Sequence, residues 1–107
     1  MKVTELLMDI EKLPELHIGS RNIYHLRHYL CGYISALHEY SPTDVDWDFD
    51  SFTHYLAEKY NGNRSIDWAV LIACYEPEAS STDSFFRLLH EYGEHKKKLA
   101  EFSKQER

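Results

Sequence analysis

Seven histidines, two cysteines and a run of alternating aspartates are the residues of this 107-residue chain suited to metal binding, proton transfer or nucleophilic attack. His25 and His28 stand three apart, which sets two imidazoles on one helix face. Zinc needs one or two further ligands and a supporting shell, so the plainer reading of the pair is solvated surface. His90-Glu91 with His95 is like a zinc-protease motif one residue too long. That chemistry needs histidines at i and i+4, and a five-residue gap turns the second ring about 140° off the first face. No Glu-x-x-His pair suited to a di-iron bundle occurs.

The aspartates of Asp44-Val45-Asp46-Trp47-Asp48-Phe49-Asp50 invite a calcium-loop reading. With Asp44 first, Asp46 and Asp48 fall on ligand positions, but Phe49 stands where glycine is needed and Tyr55 where the bidentate glutamate belongs. Starting at Asp46 puts Ser51 and Ala57 in those places, which fails as well. With only four glycines there is no phosphate-cradling loop, no serine sits in a nucleophile elbow, and neither cysteine has a loop-borne His/Asp partner. No catalytic residue, metal or cofactor is expected.

Composition bounds the rest. The length suits one domain, spanning residues 1–107, and 43% hydrophobic with 14% aromatic residues supply a core. Eight tyrosines suit both core edges and binding faces. Eighteen acids against twelve bases give a formal charge of −6. Such a surface repels nucleic acid and favours a basic partner, whose approach it accelerates. No stretch is long enough to span a membrane, and the N-terminal residues lack the apolar run of a signal peptide, so the cytosol is the expected location. Cys31 and Cys74 fall within apolar helical patterns and read as buried thiols in a reducing compartment, a disulfide being the alternative.

The elements that must position these residues are helices. Val3, Leu6, Leu7, Ile10 and Leu13 form one face of a first helix that Pro14 stops. A connector, Glu15 to Gly19, then turns at Gly19 into a helix capped by Ser20 and running to Tyr40. Its stripe is Ile23, Leu26, Leu30, Tyr33, Ile34 and Leu37, widened by Tyr24 and Cys31, so it reads as the central helix. Arg27 beside that stripe is either a snorkelling stem or half of a partly buried ion pair. After Ser41-Pro42 and the acidic loop, a third helix carries Phe52, Tyr55, Leu56 and Tyr60 and stops at Asn61-Gly62-Asn63. The apolar run to Cys74 has strand propensity, but its length and helical neighbours favour a buried helix from a Ser65 cap. Past Pro77, Ser80 and Asp83 resemble a capping box for a last helix with Phe85, Leu88, Leu89, Tyr92, Leu99 and Phe102. The expected fold is all-α, a compact bundle of about five helices. Leu-His-Glu-Tyr occurs at residues 37–40 and 89–92, but the flanks do not align and no repeat is inferred.

The acidic loop has two readings. One is a solvated linker whose last aspartate caps a helix. The other is a contact surface in which Trp47 and Phe49 are anchors and the carboxylates meet Arg or Lys. On the second reading the candidate contacts are Asp44, Asp46, Trp47, Asp48 and Asp50, with Glu39 and Tyr40 nearby in sequence.

The segment from Leu13 to Leu26 resembles a family of small bacterial immunity proteins encoded beside polymorphic toxins, including those of contact-dependent growth inhibition. In that family a connector Arg-Pro-Gly-Met-Tyr-(Leu/Ile)-Gly precedes a serine and a helix with a Gly-Tyr pair. Pro14, Ile18, Gly19, Ser20, Gly32 and Tyr33 match, whereas Leu13, Glu15, Leu16 and His17 depart. Phe52 and Tyr60 are similar to the family's aromatic third helix, Trp68 to its tryptophan-bearing fourth, and Phe85-Phe86 with Leu88-Leu89 to its closing segment. The resemblance implies a non-enzymatic protein that binds and blocks a cognate toxin domain, often a nuclease. Two other classes stand beside it. One is a scaffold or regulatory adaptor that binds host proteins or itself; the other is a small metal-dependent or hydrolytic enzyme using the histidines.

Overall fold

The computed structural model describes residues 1–63, 65–76 and 82–105. They form six helices and no strand: α1 (Val3–Lys12), α2 (Pro14–Ile18), α3 (Ile23–Tyr40), α4 (Phe49–Tyr60), α5 (Trp68–Tyr75) and α6 (Thr82–Gln105), with a 3-10 turn at Pro42–Asp44. The expected all-α bundle is therefore present, with one helix more. The connector was read as non-helical, yet Pro14 occupies the first position of α2, where its fixed φ suits a helix and its missing N–H costs nothing. Gly19 ends α2 at φ 74, the left-handed conformation that glycine adopts without strain.

α1 buries Val3, Leu6, Leu7 and Ile10, the i, i+3, i+4, i+7 pattern of one helix face. Its first turn is held from two sides. Glu5 accepts from the backbone N–H of Lys2 at 3.1 Å, and Asp46, 42 residues on, accepts from Thr4 through both its N–H (3.0 Å) and its hydroxyl (2.5 Å). The acidic loop thus caps a helix far away in sequence.

α3 is capped by Asn22 and not by Ser20. The Asn22 side chain accepts from the N–H groups of Tyr24 (2.8 Å) and His25 (3.3 Å), while Ser20 Oγ accepts from Asn22 N–H. Both are good caps by type, and a two-residue difference in where the helix starts decides between them. Ile23, Leu26 and Leu30 are buried; none of the described residues of α3 beyond Leu30 is, and Tyr33, Ile34 and Leu37 are half-covered. Tyr24 is 41% exposed.

Asp48 caps α4, and Asn61, at φ 53, closes it with Gly62 N–H bonded to Ala57 O. A Cβ on Gly62 would stand 3.0 Å from Leu71 Cδ2, so this stop also lets α4 and α5 approach closely. The run after Asn63 is helical as expected, but its cap is Asp67, which accepts from Ala69 N–H, and not Ser65. Pro77 and the Ser80 cap lie outside the described residues. Phe85, Phe86, Leu88 and Tyr92 of α6 are buried, whereas Leu99 is 54% exposed because α6 runs on past the core. The two Leu-His-Glu-Tyr tyrosines end up in opposite settings, Tyr40 82% exposed and Tyr92 7%.

Both cysteines are free and exposed, which corrects the reading of buried thiols. Cys31 follows the last buried residue of α3, and Cys74 lies in the last turn of α5. A generally apolar neighbourhood in sequence does not specify which side of each helix is covered. Arg27, by contrast, forms the ion pair, its Nε 2.8 Å from Asp67 Oδ2 with both side chains about two-thirds covered.

Asp46→Ala removes the distant cap of α1 and lowers stability by about 1 kcal/mol, seen as an earlier urea midpoint at unchanged helical content. The equally acidic but unengaged Asp50→Ala stays within about 0.5 kcal/mol of the parent.

Candidate functional site

The acidic loop runs between the end of α3 and the start of α4, and its residues divide by what they touch. Asp44 accepts from Ser41 Oγ at 2.9 Å and lies 3.9 Å from the N-terminal ammonium. Asp46 is held by Thr4. Asp48 accepts from Asp50 N–H (2.9 Å) and Ser51 Oγ (2.6 Å). These three carboxylates organise the chain. Asp50 and Glu39 are exposed and make no side-chain hydrogen bond or ion pair among the described residues, and Tyr40 projects into solvent.

The aromatic residues of the loop turn inward. Trp47 packs edge-on against Phe49 and Tyr92, with Phe52 at a 6.2 Å ring separation, and Phe49 stacks on Trp68 at 5.2 Å. The ammonium of Lys96 sits over both Trp47 (5.5 Å) and Tyr92 (5.4 Å). Trp47 Nε1 is buried and has no acceptor among the described residues. Trp47 and Phe49 are therefore half-buried wall and floor of the bundle and not free-standing anchors.

Where α3 loses its cover, these rings form the floor of an open groove of about 560 Å³, within the size range of binding sites. One wall is the outer face of α3: Cys31, Ile34, Ser35 and His38. The other combines Asp48, which caps α4, and Asp50 and Thr53 of α4 with Asp67, which caps α5. Leu30, Val45, Trp47, Phe49 and Trp68 lie between them. Of the seven candidate contacts, Trp47, Asp48 and Asp50 meet at this groove, while Glu39, Tyr40, Asp44 and Asp46 do not line it. The α3 wall and Asp67 were missed by reading the sequence. Asp67 directly before an apolar run carries a cap signature, but the α3 wall has no local signal, because Ile34 reads as core.

No family model, curated protein or solved structure matches this chain. The site's chemistry must be read from its own residues.

Three aspartates line the groove and no lysine or arginine does among the described residues. Arg27 is engaged with Asp67, leaving Asp50 as the rim charge without a partner. Cys31 and His38 share the α3 wall, but seven residues of helix separate them by about 10 Å, beyond the reach of a nucleophile and its base. Four other histidines are engaged elsewhere: His25 at Ser20 (2.8 Å), His54 at Glu58 (3.0 Å), His90 at Glu11 (2.9 Å) and His95 against Tyr55; His17 and His28 do not line the groove either. Among the described residues no three His, Cys, Asp or Glu side chains assemble to hold a metal, and no helix is long and apolar enough to cross a membrane.

Hydrogen bonding holds Asp46 and Asp48 below the usual carboxylate range. For Asp46, partial burial pushes upward but is outweighed by the hydroxyl and N–H of Thr4. For Asp48 the Ser51 hydroxyl is the main cause, opposed by burial. Glu91, between α6 and α4, is likewise raised by burial and lowered further by Tyr55 and Lys59; its partner Tyr55 is pushed up to about 12 by burial and by Glu91.

Groups with depressed pKa stabilise fully above their unfolded values, near pH 4, and lose that contribution as pH falls through the folded values. Stability measured by urea unfolding should hold down to about pH 5 and decline toward pH 2. The decline should be shallower in Asp46→Ala, and a slope unchanged by that substitution would remove Asp46 as a cause.

Proposed function

We propose that this chain is an immunity protein. It binds the toxic domain of a polymorphic toxin, neutralises it by covering its active site, and performs no chemistry of its own. The observation that carries this reading is the groove with an aromatic floor and an aspartate rim. Interfaces draw much of their binding energy from aromatic anchors in desolvated pockets surrounded by polar groups, and this groove provides one half of such an arrangement. The resemblance of the Leu13 to Leu26 segment to toxin-neighbour proteins supplies the class of partner.

Charge supplies the partner's sign. A nuclease must hold a polyanion and presents a basic active-site surface. A chain of formal charge −6 is suited to meet it, with long-range attraction raising the association rate. Three of the loop's aspartates are held by Ser41, Thr4 and Ser51, so they add to this field while fixed in position. Asp50 and Glu39 remain free to pair with lysine or arginine. A nuclease toxin acting where this chain is made would require neutralisation in the cytosol.

The product of the adjacent gene, expressed alone, should arrest growth, and co-expression of this chain should rescue it. The pair should co-purify. Glu39→Lys with Asp50→Lys leaves the fold unchanged and slows association by about tenfold or more at low salt, with a smaller effect at high salt. An adjacent product that is harmless and unbound, with this chain dimeric in solution, would favour the self-associating adaptor instead. Unchanged association of the double variant would place the contact on another face.

A further inference from the structure

The groove constrains what can lie in it. Its α3 wall extends from Leu30 to His38, about 12 Å at the rise of an α-helix. The α3 wall, with Phe49, Thr53 and Trp68 opposite, belongs to helices whose backbone N–H and C=O groups are bonded within themselves; Val45, Trp47 and Asp48 come from the loop before α4, and the described residues contain no strand. An extended segment placed here would find no strand to pair with and, along the helical wall, no open backbone partners, and leaving its own groups unmet is costly. A helix brings its backbone hydrogen bonds with it and needs only side-chain complementarity.

The side chains on the groove specify that complementarity. Ile34 and the ring of Phe49, both half-covered and backed by the buried Leu30 and Trp68, accept apolar groups along a wall about two helical turns long. Cys31 and Ser35 are small and exposed on the α3 wall, so a second helix can approach closely. Asp48 and Asp50 stand along the α4 side. Glu39, one turn beyond Ser35 on α3, does not line the groove but adds an exposed acid past its α3 end.

We infer that the groove receives a helix of the partner, presenting two apolar residues one turn apart with lysine or arginine on either side. This deepens the proposed function and rests on the reading of the chain as a binder of a basic protein. The flanking cations face Asp50 and Glu39; the apolar pair covers Ile34 and Phe49.

The test titrates isotope-labelled protein with three synthetic peptides of about 18 residues, long enough to form helix. The first carries a leucine pair at i, i+4 flanked by lysine and arginine. The second replaces those cations by glutamate, and the third keeps the composition but places two prolines in the centre. The first peptide should shift the amide signals of Ile34 and Thr53 and the indole signal of Trp68. The other two should bind at least about tenfold more weakly. Ser35→Trp, at an exposed helical position, fills the groove and should abolish the shifts at unchanged circular dichroism. Equal binding of the proline peptide, shifts confined to another face, or no binding of the basic helix overturns the inference. The same mapping with the adjacent-gene product separates the two claims. A bound toxin seated elsewhere removes the groove and leaves neutralisation standing; a seated peptide without any bound toxin does the reverse.

Discussion

Phe52 is the residue around which this bundle closes. Its side chain is fully buried, with the rings of Trp47, Phe49, Phe85 and Tyr92 centred 6.2, 6.5, 5.9 and 5.6 Å away. Those rings come from the acidic loop, from α4 itself and from α6, while Trp68 joins from α5 through Phe49 and Phe85. Mostly edge-on and tilted arrangements let several aromatic groups meet at one place with favourable quadrupole contacts. A cluster of this kind draws the loop inward. The same contact that completes the core also lays an aromatic floor under the groove.

The acids around that floor do two different kinds of work. Asp46, Asp48 and Asp67 meet backbone N–H groups at the starts of α1, α4 and α5, and Asp67 adds the Arg27 pair. Carboxylates at helix N-termini gain from the helix dipole as well as from the hydrogen bond. Asp50, in the first turn of α4, shares the dipole, but neither it nor Glu39 makes a side-chain hydrogen bond or ion pair among the described residues. Free and structural acids of the same type therefore sit a few residues apart, and their sum sets the field a partner would meet. Substituting the structural ones alters folding before it alters binding, which makes the free pair the more informative probes.

Most of the helices were legible because their apolar faces repeat at helical spacing over ten or more residues, as in α1 with Val3, Leu6, Leu7 and Ile10. The stop at Asn61-Gly62 was legible because only a left-handed residue closes a helix there. Capping was less so: Asn22 and Asp67 were passed over for Ser20 and Ser65, because several good caps stood within three residues and one sequence does not rank them. The short α2 was hidden by a proline read as a stop when it also starts the next turn. The groove was half legible. Trp47, Asp48 and Asp50 stood out by composition, but Ile34, Ser35 and Cys31 could not, since periodicity says which face is apolar and not whether a neighbour covers it.

The uncovered half of α3 raises the question of why it stays helical. Little burial supports it beyond Leu30, so its order depends on its ends and on isolated ties. Tyr33 donates to the carbonyl of Met1 at 2.6 Å, which fastens the middle of the helix to the start of α1. Ser41 N–H bonds to Leu37 O, and the Ser41 hydroxyl then engages Asp44 in the following turn. Tyr33 is also pushed to a higher pKa, by burial first and then by Asp44, Tyr29 and Glu5, so its hydroxyl keeps the proton it donates. These ties hold α3 against the N-terminal segment on one side and leave its other side facing the groove. A wall fixed before any partner arrives avoids the entropy of ordering it on binding, which otherwise subtracts from affinity. In the proposed neutralising role, such preorganisation would complement the acidic field: charge would act on the encounter, and the held wall on the lifetime of the complex.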